Sequence, residues 1–247
     1  MLETIASPPL EDKPAVKPLA TISPKGVAIV LAVVAVCLVP LSIGVNYYRY
    51  VLDGPHEGLV SLFDFDSKLS IPAWFTVCNF VLAAILLALI ALASKRAGDG
   101  WSRHWLVMSF IFLFLSLDQQ AAIHTKMTRP LRDMFHMSGL FYSAWVIPYS
   151  ILVIVFALAY ARFLLNLAPR TRNLIIIAGI IFVTGKIGVE MVDTRYLEAH
   201  GHDMTYALMT TLEEFLKMIG MVIFNYALLA YLSTHVKEIS VRFGEGG

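Results

Sequence analysis

The chain has 247 residues, 58% of them hydrophobic and 15% charged, with a mean hydropathy of +0.71 and a formal net charge of +1. Hydrophobicity at that level, gathered in long runs, excludes an ordinary soluble domain and predicts an integral membrane protein with the lipid bilayer as its first partner. The near-zero charge offers no basic surface for nucleic acid, and two cysteines exclude a disulfide scaffold.

Residues 1–24 carry five prolines (Pro8, Pro9, Pro14, Pro18, Pro24) among mixed charges and no apolar run, which predicts a disordered tail and not a signal peptide. A helix needs about 20 apolar residues to cross hydrocarbon. Six segments meet that length: 26–48, 72–94, 104–127, 139–165, 173–195 and 209–234. The expectation is an all-α bundle of six transmembrane helices over residues 25–237, with a short tail at 238–247. Six crossings put both termini on one side. With the N-terminus cytoplasmic, the inner flanks hold eleven Lys and Arg residues and the outer flanks six (Arg49, Lys68, Lys126, Arg129, Arg132 and Arg195), so both ends are expected in the cytoplasm of a cytoplasmic (inner) membrane protein.

Cys37 and Cys78 sit in apolar runs and are expected to pack as small hydrophobes. Trp74, Trp145 and the tyrosines at 47, 48 and 50 lie near span ends, as interfacial aromatic rings do, and Pro40 and Pro148 are expected to kink their helices. Asp64 and Asp66 precede the second span and read as a hydrated helix start. The His200-Gly201-His202 triplet reads as a solvated loop. No internal repeat of the kind that builds inverted-topology transporters is visible.

Ionisable groups inside spans are the informative residues, because each costs several kcal/mol unless paired, hydrated or bound. Here they are Asp118 on the third span, Lys186, Glu190 and Asp193 on the fifth, and Glu213, Glu214 and Lys217 on the sixth, joined by His124. At the helical rise, Asp118 lies roughly 21 Å and Glu190 roughly 25 Å from the inner ends of their spans, and Glu213 and Glu214 about 6 to 8 Å from the outer end of theirs. The carboxylates therefore share one layer in the outer third. Lys186, Glu190 and Asp193 follow an i, i+4, i+7 spacing on one face, and Glu214, Lys217, Met218, Met221 and Asn225 form a second stripe. Asp118 and His124 are about 120° apart on a regular helix, so they converge only if the helix loosens near its outer end.

Two readings of the layer stand side by side. Asp118, His124, Glu190, Asp193, Glu213 and Glu214 are oxygen and imidazole donors suited to a divalent metal such as iron, manganese or zinc. Alternatively the layer is an ionic network in which Lys186 and Lys217 neutralise part of five acids. Neither ExxH nor HExxH occurs, and no serine stands in a GxSxG context. If the protein is an enzyme, Asp118, Glu190 and Lys186 are its catalytic candidates, acting on a lipid-like or small substrate. The competing functions are a proton- or cation-coupled transporter and an accessory subunit of a membrane complex, in which a partner protein or a second copy docks on the outer face.

The acidic DxDxxxxIPxWF start of the second span, SLD with His124 on the third, GxE on the fifth and TxEExLxM on the sixth resemble a group of uncharacterised multi-pass bacterial membrane proteins. In that group SLD is followed by Glu and, five residues on, by His and Glu; here Gln119 and Thr125 stand at the two acidic positions. The resemblance covers spans two to six. It implies an acidic layer kept as a unit and names no reaction.

Overall fold

The computed structural model describes residues 23–235, and these are helical without strands. Of the tail expected at 1–24, residues 1–22 lie outside the described residues, while Ser23 caps the first helix and Pro24 opens it; the tail expected at 238–247 lies outside them as well. In chain order the helices are α1 (Pro24–Val51), α2 (Leu59–Phe63), α3 (Ile71–Arg96), α4 (Ser102–Ala121), α5 (Ile123–Phe135), α6 (Val146–Asn166), α7 (Pro169–Val183), α8 (Glu190–His200) and α9 (Met204–His235). Local chemistry sets several of the ends. Ser23 and Ser70 accept hydrogen bonds from the backbone of Gly26 and Ala73, with Pro24 and Pro72 in the first turns they cap.

Five helices are long and apolar enough to cross a membrane: α1, α3, α6, the continuous run Pro169–His200, and α9. α4 and α5 pass the same test only as a pair bent by 72°, which brings the number to six when the pair is counted once. The third predicted span, 104–127, is thus broken. The fourth begins at Val146, because 139–145 is a short 3-10 turn and a connection, and Pro148 therefore falls in a first turn where it has no helix to kink. The loop expected at 196–208 shrinks to Gly201–Asp203.

α9 is the central helix, packed on α1, α3 and α7, while α3 pairs with α4. Phe80, Leu87, Ile90, Trp105, Phe163, Phe224 and Leu228 form the main apolar core. A smaller cluster of Ala35, Leu38, Phe65 and Met218 joins α1 to α9. The outward faces carry exposed Val33, Phe110, Phe114, Leu158 and Ile180, whereas Asp118, Asp193, Glu213, Glu214 and Lys217 are buried. Charges inside and large apolar side chains outside are what a lipid-facing bundle requires. Cys37 and Cys78 belong to that outward surface, not to the core as expected. Trp74 is 67% exposed and fits the interfacial reading, but Trp145 is 1% exposed and does not.

α9 starts on an Asp cap. Asp203 accepts the Tyr206 N–H at 2.8 Å and the Tyr196 hydroxyl at 2.7 Å, and the Tyr206 N–H, with smaller help from Tyr196, holds its carboxyl below the usual range. A depressed folded-state value means that the stabilisation is present above the unfolded-state range and lost as pH falls through the folded one. Asp203→Ala is therefore expected to cost about 1 kcal/mol at neutral pH. The gap between its thermal midpoint and that of the wild type should close on acidification; a gap independent of pH would assign the effect to something other than the cap.

Candidate functional site

The site begins with a backbone break. Ala122 adopts a left-handed conformation (φ 50°, ψ 45°) between α4 and α5, a region that costs a residue with a Cβ about 1 to 2 kcal/mol. The break brings together the pair that a regular helix keeps apart. Asp118 Oδ1 accepts the His124 backbone N–H at 2.8 Å, and Oδ2 lies 2.8 Å from His124 Nδ1. Both side chains are buried. The local strain is thus offset by a carboxylate that closes the break and orients the ring.

His124 packs edge-on against Trp145 at 4.6 Å between ring centres. Trp145 links this dyad to the next charges. Its indole N–H donates to Glu190 Oε1 at 3.1 Å, and the Lys186 ammonium lies 4.5 Å from its ring centre. Ser143 also donates to Glu190 Oε1, at 3.2 Å. Neither Trp145 nor Ser143 was singled out as a site residue in the sequence, since nothing local distinguishes a buried tryptophan at a span end from an interfacial one.

From Glu190 the network crosses to α9. Lys186 Nζ is 2.9 Å from Glu190 Oε2 and 3.4 Å from Glu213 Oε1. Lys217 Nζ is 3.8 Å from Glu213 Oε1 and 2.7 Å from Glu214 Oε1. Lys186 occupies a π-helical stretch, Thr184–Val189, that makes one rod of α7 and α8. Such a wide turn carries an extra residue and commonly marks a functional position. Asp193 faces Glu213, and its Oδ1 has no hydrogen-bond partner among the described residues.

The six residues expected as metal donors are therefore placed as follows. Asp118 with His124 forms one pair, and Glu190, Glu213 and Glu214 are held by Lys186 and Lys217. Asp193 stands beside Glu213. Among the described residues, no three His, Cys, Asp or Glu side chains converge as a ligand set.

A second polar cluster adjoins the first. Asp64 is buried and accepts from Asn46 at 3.3 Å, Arg49 at 3.3 Å and the Asp66 backbone at 3.1 Å, with His56 Nε2 at 3.1 Å. It clamps the end of α1 to the α2–α3 connection, so the hydrated helix start expected of it is corrected; Ser70 is the cap of α3. Burial raises the Asp66 carboxyl above its usual range, with Lys68 opposing. Ser42 on α1 meets Thr211 on α9 at 3.3 Å, two residues before Glu213. His200 and His202 are both exposed, but only His202 lies in the connection, since His200 is the last residue of α8.

Beyond Lys217, about 10 Å further along α9, Phe224 stacks on Phe112, and Phe80 packs against both Phe112 and Phe182. The charged network consequently lies toward one end of the bundle with an aromatic layer behind it. No curated protein and no solved structure matches the chain. Residues 26–232, which hold all of this network, match the family described as Domain of unknown function (DUF8692), and the chain belongs to that family.

Proposed function

We propose that the chain is a cytoplasmic-membrane enzyme, both termini cytoplasmic, whose acid–base site opens toward the outer leaflet and acts on a lipid-like or small substrate. The observation that carries this reading is the Asp118–His124 dyad. A buried carboxylate that accepts from both the backbone and the ring Nδ1 of one histidine fixes its orientation. With the proton on Nδ1, the Nε2 lone pair is free to take a proton from a hydroxyl or a water. Lys186, shared between Glu190 and Glu213, supplies a fixed positive charge for an anionic group of the substrate. The aromatic layer of Phe80, Phe112 and Phe224 favours a one-sided site over a transport path, which needs polar groups through the full thickness.

The test is turnover by the full chain reconstituted with a total bacterial lipid and small-metabolite extract, followed by mass spectrometry over time. A product formed by the wild type is expected to fall about 10²–10⁴-fold in rate in His124→Gln and Asp118→Asn. Equal rates in those variants, or no time-dependent product from the wild type, would overturn the enzymatic reading and leave a structural ionic network.

A further inference from the structure

α5 is only lightly held by the rest of the bundle. Beyond His124 against Trp145 and Arg132 over the Tyr142 ring, it packs on little but the end of α4. Its 13 residues are too few and too polar to span a bilayer. At about 100° per residue, Ile123, Met127, Leu131 and Met134 lie on one side, and Thr125, Lys126, Arg129 and Asp133 on the other.

Both sides are open. Met134 is 70% and Phe135 60% exposed, and Lys126 and Arg129 are exposed on the polar side with no ion pair among the described residues. The exposed apolar face of α4, through Phe110, Phe114 and Leu117, runs up to the bend, so the surface that would meet acyl chains continues onto α5. The 72° bend lays α5 almost along the membrane plane when α4 stands along the normal. Three cations against one acid complement a negatively charged surface.

We infer that α5 is an interfacial helix seated in the headgroup layer, its Met127–Met134 side on the acyl chains and Lys126 and Arg129 among the phosphates of anionic lipids. This surface is independent of any reaction at His124. It is tested on the full chain with Cys37→Ser and Cys78→Ser, carrying a nitroxide at Met134→Cys, at Met127→Cys or at Arg129→Cys. The protein is reconstituted in phosphatidylcholine vesicles with or without phosphatidylglycerol.

Labels at 134 and 127 are expected about 5–10 Å below the headgroup boundary, relaxed by oxygen and shielded from a water-soluble nickel chelate, while the label at 129 shows the reverse. Lys126→Gln with Arg129→Gln should make the label at 134 shallower only where phosphatidylglycerol is present. Equal access of the chelate to 134 and 129 would overturn the seating. Shielding of 134 with spin–spin broadening that disappears on dilution by unlabelled protein would assign the face to a second copy instead. A depth that ignores the charge substitutions in phosphatidylglycerol vesicles would overturn the anionic-lipid contact.

Discussion

Lys217→Met is expected to destabilise the protein by about 3–5 kcal/mol, the cost of leaving a buried charge without its partner. The side chain of Lys217 is 1% exposed and its ammonium lies 2.7 Å from Glu214 Oε1. Glu213 keeps Lys186 when Lys217 is removed, whereas Glu214 has no second ion pair among the described residues. The variant therefore strands one carboxylate in the interior. For a chain of this length the loss corresponds to a thermal midpoint lower by roughly 6 to 20 °C. Methionine preserves the length and apolar stem of lysine, so the change is one of charge and hydrogen bonding more than volume. The companion Glu214→Gln with Lys217→Met removes both members and should recover most of the midpoint. A single variant as stable as the wild type, or a double variant no better than the single, would show that Lys217 is not the counter-charge of Glu214.

That network was partly legible in the sequence, and the parts that were not share a cause. Length and hydropathy suffice to find the apolar runs, because a membrane span is a property of composition over about 20 residues. The charges inside them stand out for the same reason, and the stripe of Glu214, Lys217, Met218, Met221 and Asn225 is buried as its spacing implies. The Asp118–His124 contact was legible as a condition, since the two converge only if the helix loosens, and Ala122 is where it does.

What stayed hidden depends on where the backbone departs from regularity. The bend at Ala122 and the wide turn at Thr184–Val189 are set by partners on other helices, and no local propensity announces an alanine in a left-handed conformation. Gly185 and Gly188 on either side of Lys186 were the available hint of the second irregularity. The amphipathic period of 123–135 with Pro130 inside it was the hint that this stretch does not continue α4 as one straight span. Trp145 and Asp64 differ from exposed residues of the same type only through contacts made across the bundle.

Gly185→Ala is expected to be the most damaging small substitution, because it acts on the fold and the site together. A methyl group at Gly185 would come within 2.9 Å of the Glu213 carbonyl oxygen, 2.9 Å of Leu216 Cβ and 3.3 Å of the Lys217 nitrogen. Two of these are backbone atoms of α9, which have no rotamer by which to retreat. The π-helical stretch must then move off α9, at about 1–3 kcal/mol for an overpacked contact. Gly220→Ala meets the Ala178 carbonyl oxygen at 3.0 Å and Phe182 Cβ at 3.0 Å, so its loss of stability should be similar. The two differ in what moves. Gly220 lies against α7 near the aromatic layer, whereas Gly185 is the neighbour of Lys186, whose ammonium reaches Glu213 across 3.4 Å. A double-mutant cycle reads that difference. Lys186→Met should cost less in the Gly185→Ala background than in the wild type, because the cross-helix pair is already loosened, and should cost the same in the Gly220→Ala background. Strict additivity at Gly185, or a Gly185→Ala protein as stable as the wild type, would mean that α9 yields to the methyl group and that close approach at this glycine does not position Lys186.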